Sequence, residues 1–528
     1  MRNRKLVAIL IIAFSLAAFI AEFILFSLHT EPSFENLRNI KLHYDITWKF
    51  WLNSRYYPPF WDYFWHAFIL AFGPRFIYTS IANALFIVLG ATFVYLLLRE
   101  EKVDVDFAAL GFAMTLLLPT SLFAAIRVRV EAMMWVLSIG FLYFLVKSRV
   151  FTIVKNSIFA AILVSLGLLG KWSFLAYSLL PALIESLTPV LRPLKKLYGL
   201  IAFGVTGAIL CGPWYLFIMS PERILPSATN DPNLPIYSFL GMVKLNLFTL
   251  ANEVWGTLLF GLSFAAIVAG LIFGRSKTLW LLASSIVGAI IFFSIPSHTE
   301  DRYFWPIVPM LAAATILGVN ILIKRFKGGR FVVPFLFCAA LFNAAINWTL
   351  FFTQNNHNSN ELVMNKTYNV PKNTYGRYHE FLLKSPEYTK KPRPLISFYP
   401  PLQLLFLDWS YPQYLELLSP QPVPYEFAHF DLTEYWFFQE ELRGLKYDVI
   451  LMNCGKLGDC DGAFNEFLKT DLNRLRQPYY QPGMTEAEIK IFDPKTIIDD
   501  YDFVLANYRP VDRYEAIEGH VIVMWVKK

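Results

Sequence analysis

The densest chemistry in the sequence lies in two runs, His43-Tyr44-Asp45-Ile46-Thr47-Trp48 and Arg55-Tyr56-Tyr57-Pro58-Pro59-Phe60-Trp61-Asp62-Tyr63. Acids stand beside aromatic rings here. That combination suits a sugar, whose C–H faces stack on rings and whose hydroxyls need acceptors. Tyr44, Tyr57, Trp61, Asp62 and His66, with Glu131 further on, are the candidates for sugar or acceptor contacts. The same cluster also fits an interfacial aromatic belt. Glu131 has a second reading too, as the partner of Arg127 or Arg129 in a structural ion pair, because an ionisable group at a membrane face is costly unless paired or functional. Glu22 invites the same question inside an apolar run.

The elements that carry these residues are membrane helices. Of 528 residues 56% are hydrophobic and only 16% charged, against roughly 25% charged in a soluble domain. About eleven stretches reach the roughly 20 residues that cross a bilayer as helix: 6–28, 76–98, 107–126, 131–146, 153–170, 174–187, 198–219, 254–274, 279–295, 303–323 and 331–352. The first run is longer than a signal-peptide core and lacks a small-x-small cleavage site, so a retained helix is expected.

Basic residues set the orientation. Arg4 and Lys5, Arg99 and Lys102, Lys147 and Arg149, Lys195 and Lys196, Arg275 and Lys277, and Lys324 and Arg325 fall in alternate short loops. That side is expected to be cytoplasmic, with the N-terminus. The loops 29–75 and 220–253 and the tail 353–528 are then expected outside. The net charge of +7 is spread over these loops with no basic patch interleaved with aromatics, which argues against nucleic acid as a partner.

The tail is rich in Pro and Tyr and shows short β-like runs at 394–399, 447–453, 487–492, 502–507 and 520–526, with a helix around 465–476. Expected, then, are a transmembrane domain over 1–352 and a mixed α/β domain outside the membrane over 353–528. Cys211 and Cys338 read as small packing residues. Cys454 and Cys460 can pair if the tail meets an oxidising compartment, and spacing alone leaves that open.

The order of motifs resembles the GT-C fold membrane glycosyltransferases, in the branch of protein mannosyltransferases, aminoarabinose transferases and RgtA-like enzymes. The resemblance rests on Asp45 in the first loop, Pro58-Pro59, and an aromatic helix ending in Phe72-Gly73. It continues with Glu131 opening a helix, the Gly167-Leu168-Leu169-Gly170-Lys171 turn, Pro213-Trp214-Tyr215, and Arg302-Tyr303-Phe304-Trp305-Pro306 with Pro309. It covers roughly the first 320 residues. Ile46 stands where relatives often have a second acid, and Tyr57 where many have Lys; both bear on the donor sugar and its phosphate contacts.

The resemblance implies an inverting hexosyl or pentosyl transfer from an undecaprenyl- or dolichyl-phosphate carrier to a glycan, lipid or protein hydroxyl. Asp45 would be the general base. The departing phosphate would need fixed cations, for which Arg302, Arg127, Arg129, Lys171 and Arg55 are the candidates. Each is equally readable as an interfacial snorkelling residue. No cofactor is implied, and a divalent cation stays open.

Other signals are discounted. Asp104-Val105-Asp106 has an Asp-x-Asp form but falls on the cytoplasmic side, and His298, Glu300 and Asp301 read as solvated loop residues rather than metal ligands. The alternative function is a transporter or flippase of a lipid-linked or small polar substrate. It would call for inverted repeats and polar groups at mid-membrane, whereas the sequence shows no repeat and its proposed polar residues gather at one face.

Overall fold

The computed structural model describes residues 2–31, 40, 43–44, 60–218, 239–295, 301–326, 335–342, 345, 370–371, 374–402, 423–428, 435–475, 494–516 and 520–528. The chain divides into two compact units.

The first unit is helical. It contains α1 (Arg2–His29, to Leu25), α2 (Phe60–Phe72), α3 (Phe76–Glu100), α4 (Val105–Leu116), α5 (Pro119–Ile126), α6 (Val130–Lys147) and α7 (Val154–Gly170). It continues with α8 (Leu175–Leu187), α9 (Pro193–Pro213), α10 (Phe239–Thr249), α11 (Thr257–Phe273), α12 (Lys277–Phe292) and α13 (Val308–Phe326). Among the described residues, 5 helices are long and apolar enough to span a bilayer, or up to 7 if each bent pair is one span. The expected count of about eleven spans is not confirmed among the described residues. Three further apolar helices are shorter than 18 residues, the expected span 107–126 is bent, and the expected span 254–274 is preceded at a sharp angle by a further helix.

The breaks have local causes. The expected helix 107–126 bends by 57° between α4 and α5, where Pro119 at the head of α5 has no N–H to continue the ladder. α10 and α11 meet at 111° about Gly256, whose φ of 89° is readily adopted only without a Cβ. α10 itself lies where the sequence suggested only an outer loop. α2 stops at Gly73 (φ 94°), whose N–H donates to Ile69 O at 2.8 Å, so the Phe-Gly pair does end an aromatic helix.

Packing follows the small residues. α7 lies between α6 and α9, α8 against α12, and α13 against α4, α11 and α12. α11 and α13 cross closely at Gly270 and Gly318: a Cβ on Gly270 would come within 2.7 Å of the Gly318 Cα. Small residues let helix backbones approach where no water-driven term separates lipid from protein. α9 shows the opposite pattern, with Leu194, Leu197, Ile201, Val205 and Ile209 all exposed, a surface suited to lipid tails.

The second unit holds β1 (Thr30–Glu31), paired antiparallel with β2 (Val370–Pro371), and a five-stranded sheet. That sheet is built from β3 (Leu395–Phe398), β4 (Glu426–Ala428), β5 (Val449–Asn453), β6 (Tyr508–Glu515) and β7 (Val521–Lys527), in the order β4-β3-β5-β7-β6. β3 runs parallel to β4 and β5, whereas β7 is antiparallel to both neighbours. Helices α14 (Thr374–Leu382), α15 (Ser385–Thr389), α16 (Tyr435–Arg443), α17 (Cys460–Leu475) and α18 (Pro494–Asn507) complete it. The core gathers Tyr399, Phe438, Tyr447, Ile450, Phe464, Tyr501 and Val504.

The β-like reading of 502–507 is corrected: this is the end of α18. Its buried residues, Ile497, Asp500, Tyr501 and Val504, recur at three- and four-residue steps, which is a helical face. The expected strand 487–492 lies outside the described residues. Cys454 and Cys460 form a disulfide, resolving the pairing that spacing left open.

Candidate active site

Charged residues cluster at three helix junctions of the first unit. The first is 127–129, between α5 and α6. Arg127 (φ −102°, ψ 130°) and Arg129 (φ −140°, ψ 155°) are extended, and Val128 between them is fully buried. The Asn83 side-chain amide on α3 donates to the Arg127 carbonyl oxygen, which fixes this irregular backbone without water. Glu131 follows in the first turn of α6, the helix end that favours an acid.

The second segment is Lys171, extended just past the end of α7 (φ −160°, ψ 127°). The end of α7 is tied by the Tyr215 hydroxyl, which donates to Leu168 O at 2.7 Å. The third is the tight turn Asp301–Ile307, which precedes α13. Pro309 stands second in α13, where a missing N–H costs nothing. Tyr177 donates to Tyr303 O at 2.5 Å and Ser138 to Pro306 O at 3.1 Å, and the Tyr303 ring stacks on Phe293 at 5.1 Å. Three elements therefore hold this turn in place.

These segments converge. Lys171 Nζ lies 3.0 Å from Glu131 Oε1 and 4.8 Å from the centroid of Tyr303. The Arg302 guanidinium is 5.6 Å from that same ring. The Arg127 guanidinium lies 4.8 Å from the centroid of Trp305. Arg127 and Glu131 are each 3% exposed, so both charges are out of water. Arg127, Lys171 and Arg302, three of the sequence-predicted cations, thus meet around one acid and two rings, with Arg129 acting electrostatically on the same acid. Clustered cations of this kind are a setting suited to binding an anion.

The structure departs from the sequence in one pairing. Glu131 was expected to join Arg127 or Arg129, and its ion pair is with Lys171. Arg127 instead faces an indole. Nothing in the spacing foretold this, because Lys171 arrives from a different helix 40 residues on.

The other candidates stand as follows. Trp61, Asp62 and His66 lie on α2, which packs against α7. Trp61 meets Trp65 edge-on at 5.2 Å. Burial pushes the Asp62 carboxyl up to about 7. Tyr44 is exposed. Asp45, Arg55 and Tyr57 lie outside the described residues. Among the described residues no group of three or more His, Cys, Asp or Glu could hold a metal ion, and His298 and Glu300 are not among them. Sequence reasoning gave no role to Tyr303, Trp305, Tyr177 or Asn83. The first two lie inside a motif it singled out, whereas a lone Asn in an apolar helix was the only signal for Asn83.

No protein-family model and no curated protein sequence matches the chain. Solved structures do. ArnT from Cupriavidus metallidurans bound to undecaprenyl phosphate is similar at a TM-score of 0.58, over 98% of this chain and 97% of that one, with 14% identity. Its apo form gives 0.55 over 90% and 96%, also at 14% identity. The oligosaccharyltransferase AglB from Archaeoglobus fulgidus, in complex with an inhibitory peptide and a dolichol-phosphate, gives 0.53 over 97% and 79%, at 11% identity. The chain has the GT-C fold.

With the GT-C fold and its apolar helices, the chain is an integral membrane protein. At this identity the likeness reaches the fold and stops short of the residues. The cation group therefore stands on its own geometry.

Proposed function

We propose that the chain is an inverting glycosyltransferase that takes a sugar from a polyprenyl-phosphate donor at the extracytoplasmic face of the membrane. The observation that carries this reading is the convergence of Arg127, Lys171 and Arg302 in a chain with the GT-C fold. Structures similar to it hold undecaprenyl phosphate in one case and a dolichol-phosphate in another.

In this reading Asp45 takes the proton of an acceptor hydroxyl as its oxygen attacks the anomeric carbon. The bond from that carbon to the phosphate oxygen breaks, and polyprenyl phosphate leaves as an anion. A positioned base contributes roughly 10²–10⁴-fold. Arg127, Arg129, Lys171 and Arg302, with Arg55, stabilise the charge that grows on the phosphate, in surroundings where fixed cations act more strongly than in water. Trp61, Asp62, His66, Tyr44 and Tyr57 are assigned to sugar and acceptor. Glu131, engaged by Lys171, is assigned to holding that cation rather than to the sugar.

The N-terminus is placed in the cytoplasm, and the tail from residue 353 outside, where a disulfide is at home. A transporter or flippase is less well supported, because the charged groups gather around one acid and the neighbours in fold are transferases. The test is to incubate purified protein with polyprenyl-phosphate sugars and an acceptor and to measure released polyprenyl phosphate. Asp45→Asn should abolish release while expression and insertion persist. Full release from Asp45→Asn removes Asp45 from the mechanism.

A further inference from the structure

The cations of this site differ in how they are held. Lys171 has a carboxylate at 3.0 Å, but it also lies over the Tyr303 ring. Arg127, almost wholly buried, lies over Trp305, whose ring is fully buried as well. Tyr303 and Trp305 are two residues apart on one short turn. That turn is anchored through its own backbone by Tyr177 and Ser138, and by Phe293 against the Tyr303 face. Moreover, the Trp305 indole N–H has no hydrogen-bond partner among the described residues although it is buried. The contact that Trp305 makes with Arg127 is therefore through its ring face.

We infer that the turn Asp301–Ile307 is the positioning element of the phosphate site, with Trp305 setting the guanidinium of Arg127 and Tyr303 setting the ammonium of Lys171. This rests on the donor reading above and adds to it a division of labour. The ring faces supply negative electrostatic potential without a full charge, so they orient the cations without adding a counter-charge of their own. Tyr303 and Trp305 act through the cations and are positioning residues.

The test is a double-mutant cycle in full-length protein, read as affinity for undecaprenyl phosphate in detergent micelles. Trp305→Leu should weaken binding about 30-fold, the scale of a desolvated cation–π contact, and Trp305→Phe should retain most of the affinity. On an Arg127→Ala background Trp305→Leu should add almost nothing, because the residue through which it acts is gone. Tyr303→Leu with Lys171→Met forms a second cycle with the same expectation, and it serves if Trp305→Leu is not monodisperse. Wild-type protein that binds no undecaprenyl phosphate refutes the donor reading, and this inference with it. Wild-type protein that binds, with losses that multiply independently in the cycles, refutes this inference alone. A folded Trp305→Leu protein that binds as wild type does so as well.

Discussion

Removing one member of the Lys171–Glu131 pair should harm the protein more than removing both. The carboxylate is 3% exposed and the ammonium 16%, at 3.0 Å, so each is the other's main compensation for leaving water. Deleting one partner of a buried pair costs about 3–5 kcal/mol, chiefly because the survivor stays buried and charged. Lys171 keeps some contact with solvent, which puts Glu131→Gln near the low end, about 3 kcal/mol. Lys171→Met leaves the deeper Glu131 without its hydrogen-bonded cation, with only Arg129 acting on it electrostatically, and should cost more. In Glu131→Gln/Lys171→Met no charge is stranded, and much of the loss should return. The assay is apparent melting temperature in detergent for wild type, both singles and the double, at one protein concentration. A double variant no more stable than the worse single would show that the two charges are not compensating each other. Transfer activity separates the roles: in the double variant stability should recover while activity stays lost, since the cation is absent.

Three further outcomes are expected. Because burial raises the Asp62 carboxyl to about 7, the folded state holds that proton more tightly than the unfolded state; stability should fall as pH rises from about 4 to about 7 and then level, and Asp62→Asn should flatten that slope in melting curves. Gly318→Leu would drive a side chain into the Ala266 carbonyl at the α11–α13 crossing, and it should lower the yield of monodisperse protein far more than the same change at Gly204, which meets nothing nearby. Opening the Cys454–Cys460 loop with a double Ser substitution should destabilise the second unit by about 2 kcal/mol, measured by local hydrogen exchange in β5; unchanged exchange would contradict it.

How much of this was legible in the sequence depends on range. The membrane class follows from long apolar runs, and the GT-C fold from the order of weak motifs. Local signals gave the end of α2 at Phe72-Gly73 and the strands around 395–398, 449–453 and 521–527. Sequence reading merged α4 with α5 because hydropathy runs straight through the bend, and it missed α10 because that helix sits within an otherwise polar loop. At 502–507 the short apolar run Phe503 to Ala506, bounded by Asp502 and Asn507, imitated a strand, whereas the three- and four-residue rhythm that decides the helix begins earlier, at Ile497. In the site, residue types announced the cations. Their partners were hidden, because Glu131 with Lys171 and Arg127 with Trp305 are joined only by tertiary packing.

The interrupted stretch from Val105 to Lys147 has a consequence for wetting. As one continuous helix it would extend about 65 Å, roughly twice the thickness of a bilayer core. Broken into α4, α5 and α6 it leaves loose carbonyls, and protein groups cover two of these: Ser121 bonds to Thr115 O at 2.6 Å and Asn83 to Arg127 O. In turn Thr120 of α5 bonds to Val254 O, in the break between α10 and α11, at 2.6 Å. A scaffold whose gaps are filled by its own hydroxyls and amide does not depend on solvent for its shape. On the donor reading, a lipid headgroup can then displace water without moving the arginines.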